Sequence, residues 1–301
     1  MTQIFSELTA QTFDIDGKTA AKFQNKALIL KCKNPAFMKR HFPFSGTLCF
    51  LFMYAFSTIA QPGTKTLKVM TYNIHHGNPP AQSGVIDLQA VADVINSQAP
   101  DLVALQELDV LTKRANGVDE VKKLAALTGM HPFFSKGIDF DGGEYGVAIL
   151  SRFKPNHTER FPLPSKEGLP AEARSLAVVN VSLPNGQRLD FACTHLDLKE
   201  EHRLLQVTEI NKILGPRKGT VILAGDFNFE ATNPAMAILE QHFNRSCKEN
   251  CDPTIPEVNP QKEIDFILLK KGNRLKVVSH QVLKNVIASD HLPVVASYLL
   301  P

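Results

Sequence analysis

The sequence predicts an α/β protein, and two observations carry that prediction. Short apolar runs of strand length alternate with longer stretches whose apolar residues recur at helical spacing. Several of the short runs stop on an acid, an amide or a histidine, and open α/β proteins collect their ligands at strand ends. The clearest run is Val221-Ile222-Leu223-Ala224, which stops at Gly225 and leads into Asp226-Phe227-Asn228. Acid and amide, two positions apart, leave the strand end on the same side. Asp226 can act as a general base or a metal ligand, whereas Asn228 can donate to an oxyanion but cannot become charged. Gly, Asp and Asn are equally the residues of an Asx turn, and on these eight residues alone the two readings stand level.

The elements follow in order. Residues 67–74 alternate as a strand and end at His75-His76-Gly77. Residues 85–98 carry an apolar stripe at 88, 91, 94 and 95, a helix that Pro100 stops. Residues 101–107 form a second strand with a carboxylate, Glu107, at its end. A helix over 118–127 is closed by Gly129. Residues 146–150 form another strand. The runs 175–183 and 187–195 flank Pro184-Asn185-Gly186 and predict a hairpin whose second strand ends at His195. Residues 199–214 form an amphipathic helix with Leu204, Val207 and Leu214 inward, and Pro234 opens a further helix at its first turn. The last strands are 264–269, 275–283 and 294–300. The Gly- and Asp-containing stretch 137–145 and the stretch 248–262 read as loops that set specificity.

At 44% hydrophobic and 21% charged residues the 301-residue chain has the balance of an ordinary globular protein. Residues 1–60 hold seven basic and three acidic residues; of the chain totals of 33 and 30, 26 and 27 are left for 61–301. A body with a net charge of −1 offers no bulk electrostatic case for nucleic-acid binding.

The N-terminus has its own layout. Met38-Lys39-Arg40-His41 is followed by the apolar run 48–56 and by Thr58-Ile59-Ala60, the order of a secretory signal peptide. Met38 is therefore read as the true start, 1–37 as an upstream extension without a fold of its own, 38–60 as the signal and 61–301 as the working domain. A retained membrane anchor is the competing reading, although the apolar core is short for a span. The expected location is secreted or periplasmic, with no stable membrane span after cleavage, and the expected state is a monomer. Of the cysteines beyond residue 60, Cys193 lies in the strand-like run 189–194 and reads as a buried thiol. Cys247 and Cys251 flank a polar tripeptide; they could pair in an oxidising compartment or form half of a metal site, which no second Cys or His pair at zinc spacing completes.

Asn73, Glu107, His195, Asp226, Asn228, Asp265 and Asp290-His291 each lie at or beside the end of a strand-like run. Any one of them alone suits a turn or cap. Together they suit a hard, oxygen-liganded cation such as Mg²⁺ or Mn²⁺ and an activated water.

Thr71-Tyr72-Asn73-Ile74, Leu105-Gln106-Glu107, Thr194-His195-Leu196-Asp197, Gly225-Asp226-Phe227-Asn228, Ile264-Asp265-Phe266 and Ser289-Asp290-His291 occur in the order of a known family. In these six motifs the chain resembles the endonuclease/exonuclease/phosphatase superfamily of DNase I-like proteins. The resemblance implies a four-layer α-β-β-α sandwich of two packed mixed sheets. It implies that Glu107 ligates Mg²⁺, with Asn73 holding metal or phosphate and Asp290 as a further ligand. Asp226 is then the residue that deprotonates water, Asn228 an oxyanion donor, His291 a phosphate contact held by Asp265, and His195 a transition-state contact. Arg174 is a weaker candidate for binding a substrate phosphate, with a surface ion pair as the alternative, and Arg203, Gln206, Tyr145, His75 and His76 are candidate supports. The expected reaction is metal-assisted hydrolysis of a phosphoester, small or lipid-linked by preference. A secreted nuclease and a non-catalytic binding module are the other readings.

Overall fold

The computed structural model describes residues 66–82 and 84–301. The expectations for 1–37 and for the signal at 38–60 lie outside the described residues.

In chain order the elements are β1 Thr66–Asn73, α1 Leu88–Gln98, β2 Leu102–Val110, α2 Glu120–Thr128, β3 His131–Phe140, β4 Gly143–Ser151, β5 His157–Pro162, β6 Ser175–Ser182, β7 Arg188–His195, α3 Glu200–Leu214, β8 Thr220–Asp226, α4 Pro234–Leu239, β9 Phe243–Arg245, β10 Asp265–Lys270, β11 Lys276–Val282 and β12 Val294–Leu299. They form two six-stranded mixed sheets, ordered β11-β12-β1-β2-β4-β3 and β5-β6-β7-β8-β10-β9. Each sheet has one parallel pair near its middle, β1 with β2 and β7 with β8, and every other pairing is antiparallel. A parallel pair needs a crossover, and α1 and α3 supply the two crossovers.

Three apolar clusters separate four layers. One lies between the sheets and joins Val69, Ala104 and Ile149 to Val179, Phe191 and Ile267. A second packs α1 and α2 on the outer face of the first sheet through Val91, Ile95, Val121 and Leu124. The third packs α3 and α4 on the other sheet through Val207, Ile210, Leu214 and Met236. This is the α-β-β-α sandwich that the motifs imply. It also explains the unbroken apolar run of β8: Ile222 and Ala224 face the inter-sheet cluster while Val221 and Leu223 face the helices, so both faces are buried. Cys193 is a free, buried thiol in the inter-sheet layer, and burial pushes it up to about 12.

The helix boundaries are set by their caps. Asp87 accepts the backbone N–H of Ala90 and Asp119 that of Lys122, so α1 and α2 begin two or three residues later than periodicity alone predicts. Three strands were not legible in the sequence: β3, β5 and β9. The stretch 137–145 is accordingly not a loop. It is the end of β3, a tight turn and the start of β4. Its glycines serve close backbone approach, since a Cβ on Gly143 would lie 2.3 Å from Val110 O. Cys247 and Cys251 form a disulfide at the start of the long connection between β9 and β10. Among the described residues no helix is long and apolar enough to cross a membrane.

Candidate active site

The two parallel pairs end close together, and their carboxyl ends carry the polar residues. In the second sheet His195 is in register with Asp226, the last residue of β8. Gly225 makes that approach feasible: a Cβ there would lie 2.1 Å from Thr194 O. In the first sheet Asn73 ends β1. Glu107 was expected at the end of β2, but the strand continues to Val110. The carboxylate leaves the sheet at an irregularity between Leu105 and Leu108, where its φ is +60°. A bulge of this kind re-aims one side chain without ending the strand.

Asn73 joins the two sheets. Its Nδ2 donates to Glu107 Oε1 and to Asp226 Oδ2, both at 3.0 Å. Its Oδ1 accepts the backbone N–H of His75 at 3.1 Å, which fixes the orientation of the amide. The β1 end is also held from the last loop, where Ser289 Oγ donates to Asn73 O at 2.7 Å.

Asp226 is 1% exposed. Its Oδ1 accepts the backbone N–H of Asn228 at 2.9 Å, and Asn228 adopts φ +54°. The Asx turn and the polar site are therefore one object, not alternatives. Asp226 Oδ2 also lies 3.5 Å from His195 Nε2 and 3.7 Å from His291 Nε2. Burial, and next the charge of Asp265, raise the Asp226 carboxyl to about 7, while His291 and the Asn73 amide draw it back.

His291 Nδ1 pairs with Asp265 Oδ2 at 2.9 Å, and Thr254 Oγ1 donates to that same oxygen at 2.6 Å. Burial works against the imidazolium, but the Asp265 carboxylate outweighs it and lifts His291 to about 10. Asp226, Asp265 and His291 each bring one ligand atom within 4.8 Å of the others, a spacing open to a cation. The same three groups also form a hydrogen-bonded chain, since His291 Nδ1 is already engaged by Asp265 and its Nε2 faces Asp226.

His195 is held from both sides. Arg174 Nη1 lies 3.0 Å from its Nδ1, and Asn228 Nδ2 lies 3.0 Å from its Nε2 and 2.9 Å from Leu196 O. Burial, then the charges of Arg174 and His291, push His195 well below its ordinary value, so it is neutral. Arg174 is buried and pairs with the exposed Glu172 at 2.9 Å, so the ion pair that sequence allowed is present, with its arginine drawn into the site. Asp290 is half-buried beside His291. Its one hydrogen bond among the described residues is from Ser289 Oγ at 3.3 Å.

Gln206 Oε1 accepts the backbone N–H of Asp197 at 2.9 Å, and Arg203 Nη1 donates to the carbonyls of Asp197 and Leu198, so both hold the turn after His195. Tyr145 is half-buried near Glu107, whose charge, after burial, raises its hydroxyl. Sequence reasoning missed Thr254, Glu172 and Ser289 as supports. The motif Ser289-Asp290-His291 held a signal for the last; nothing in spacing points to the other two.

A sequence model of the Endonuclease/Exonuclease/phosphatase family matches residues 70–291. The protein named "Uncharacterized protein YbhP" of Escherichia coli K12 is 27% identical over 253 residues, covering 77% of this chain and 95% of its own. The crystal structure of an endonuclease/exonuclease/phosphatase from Beutenbergia cavernae superposes with a TM-score of 0.66 at 25% identity, over 78% of this chain and 72% of that one. A mannosyl-6-phosphatase of Bacteroides thetaiotaomicron shares the fold, with a TM-score of 0.64 at 18% identity over 78% of this chain and all of its own.

Proposed function

The chain belongs to the endonuclease/exonuclease/phosphatase family, whose members hydrolyse phosphoesters with divalent-cation help, and from that premise we propose that it is an exported, Mg²⁺-dependent hydrolase of small or lipid-linked phosphoesters. The observation that carries this reading is the Asn73 amide, 3.0 Å from both Glu107 Oε1 and Asp226 Oδ2. One fixed group sets a carboxylate suited to a cation beside a carboxylate suited to water.

The donor chemistry fits a hard cation. Glu107 and Asp290 are half-buried carboxylates, the first bonded to the Asn73 side chain and the second linked to the Asn73 carbonyl through Ser289. Oxygen donors of this kind suit Mg²⁺ or Mn²⁺. When bound there, the cation supplies positive charge to the phosphate oxygens. The protein groups do the rest. Asp226, raised toward neutrality, takes the proton from the attacking water. His195 presents a neutral N–H, and Asn228 an amide N–H, to the developing oxyanion. His291, held protonated by Asp265, contributes a cationic donor on the other side of Asp226. Water attacks directly, without a covalent enzyme intermediate. Arg174 lies across the imidazole from Asp226, and its contacts fit positioning of His195 better than the direct phosphate fork expected from sequence.

Export rests on the Met38–Ala60 pattern, and the Cys247–Cys251 bridge agrees with an oxidising compartment. The test is a panel with Mg²⁺ or Mn²⁺, with and without EDTA, covering bis-p-nitrophenyl phosphate, sugar phosphates, sphingomyelin and plasmid DNA. EDTA-sensitive hydrolysis of the small or lipid esters is the expected result. Preference for plasmid DNA replaces the reading with the nuclease, and no turnover on any ester removes it.

A further inference from the structure

Beside Asn228 the surface opens into a pocket of about 700 Å³. Its walls come from the turn after His195, the segment 228–233 and the stretch 255–264. The volume is that of a small-molecule site. The lining is mixed. Leu198, Ile255 and Pro256 offer apolar surface, while Thr232, Asn233 and Gln261 offer hydrogen-bonding groups. Three charged residues complete it: Arg203, Lys262 and the single carboxylate Glu230.

Arg203 is the informative member. It is 9% exposed and has no carboxylate within ion-pair distance among the described residues; the acidic side chains that favour its charge act only through space. Its Nη1 is used by two backbone carbonyls, and its Nε has no partner. Burial lowers its hold on the proton. A partly desolvated guanidinium that rests over the Phe229 ring and has no carboxylate in direct contact would gain from an anion brought by a ligand. Lys262, from the stretch 255–264, stands exposed in the same lining. Its backbone is pinned, with its carbonyl accepting Thr254 N–H at 2.7 Å and its N–H donating to Ile255 O at 3.1 Å. The lysine side chain is therefore free to meet a ligand from a fixed origin. The same segment carries Thr254, which holds Asp265, so this pocket wall and the His291 pair share one support.

We propose that this pocket holds the alcohol part of the substrate, and that this alcohol is a polyhydroxylated ring bearing a second anionic group. The inference rests on the hydrolase reading, because Asn228 belongs to both the pocket and the reaction centre. The scissile phosphate sits among Asp226, His195 and His291, the ring lies against the apolar wall with its hydroxyls on Asn233 and Gln261, and the second anion reaches Arg203 and Lys262.

The probes are glucose 1-phosphate, glucuronic acid 1-phosphate and glucose 1,6-bisphosphate, which share one ester and carry a hydroxyl, a carboxylate or a phosphate at the far carbon. Bis-p-nitrophenyl phosphate and an oligothymidylate complete the set. The expected kcat/KM for a charged member exceeds that for glucose 1-phosphate about tenfold or more, the scale of one charge-assisted hydrogen bond. Lys262→Ala narrows that preference severalfold and Lys262→Arg keeps it. The two charged arms separate carboxylate from phosphate recognition. Because Arg203 also holds backbone carbonyls, Lys262 is the deciding position. Hydrolysis of bis-p-nitrophenyl phosphate with no preference between charged and uncharged sugars overturns the pocket assignment and leaves the hydrolase reading standing. Faster cleavage of oligothymidylate than of any sugar ester also overturns it. If no ester turns over, the hydrolase reading fails, and titration calorimetry of glucose 1,6-bisphosphate against glucose then judges the pocket. Binding of the bisphosphate that Lys262→Ala weakens sustains it, and equal or absent binding overturns it.

Discussion

Arg174 Nη1 lies 3.0 Å from His195 Nδ1. A guanidinium can only donate, so Nδ1 must offer its lone pair and the single proton of the neutral ring sits on Nε2. Nε2 then has no lone pair for the Asn228 amide 3.0 Å away. That amide finds its acceptor in Leu196 O, and the Nε2 proton points to Asp226 Oδ2 at 3.5 Å. Arg174 thus fixes a neutral N–H donor beside Asp226, the proposed proton acceptor.

The first prediction follows from this tautomer. Nitrogen-15 NMR of the wild-type protein at neutral pH should show His195 protonated at Nε2 alone. Arg174→Met should give a mixture of tautomers and lower kcat about tenfold, as expected for one lost charge-assisted contact. Arg174→Lys, which still only donates, should restore the Nε2 form in part. An unchanged spectrum in Arg174→Met would remove Arg174 from the arrangement.

The second prediction separates the two carboxylates on Asn73. Asp226→Asn keeps the side-chain size and removes the proton acceptor. It should lower kcat on the order of 10²-fold or more, and added Mg²⁺ should not restore it. Glu107→Gln weakens a ligand for the cation, so raised Mg²⁺ or Mn²⁺ should recover part of its activity. Metal titrations of both variants on one substrate make the comparison. Activity that survives EDTA, or near-wild-type rates in both variants, would contradict these roles.

The parts of the fold that were legible are those where burial writes a pattern. β8 is apolar on both faces because helices cover one and a sheet the other, and α3 shows Val207, Ile210 and Leu214 on one stripe. β3 and β5 escaped notice because they occupy or adjoin sheet edges and expose much of their length, so neither carries a strong alternation. The residues of the site were legible as motifs, but their mutual geometry was not. Nothing in spacing places Thr254 Oγ1 on Asp265, or Glu172 on Arg174, because those contacts arise where separate connections meet. Glu107 read as a strand end because a bulge has the same local composition as a turn. Only pairing with β4 reveals that the strand goes on.

The third prediction concerns Cys247 and Cys251, which are bridged in the structure while Cys193 is free and buried. Thiol counting on denatured, unreduced exported protein, which lacks Cys32 and Cys49, should find one thiol. The closed loop is short, so reducing the bridge should cost less than the roughly 3 kcal/mol associated with a 15-residue loop. Three reactive thiols would refute the pairing. Intact-mass analysis of the exported protein tests the location in parallel, with a mature chain beginning near Gln61 as the expected result.

The last prediction is a pH profile, and its signs follow from the environments of two groups. Asp226 must be ionised to accept a proton. Burial and Asp265 raise it to about 7, so the acid limb of kcat/KM should lie well above the ordinary carboxylate range. A bound cation favours the carboxylate form and should move that limb downward as free Mg²⁺ rises. His291 acts as a donor only while protonated, and Asp265 holds it up to about 10, so the alkaline limb should fall there. Linkage gives the matching stability changes. The His291–Asp265 pair stabilises the fold fully below the unfolded histidine value and is lost as pH rises through about 10. Asp226 works in the same sense at lower pH, because its raised value means that stability is lost as pH rises from the unfolded carboxylate value through about 7. His291→Gln separates the two limbs. It removes the imidazolium that draws Asp226 downward, so the acid limb should move to higher pH while the alkaline limb disappears. If both limbs stay in place in His291→Gln, neither belongs to this pair, and the proton acceptor must be sought outside the Asp226–His291 contact.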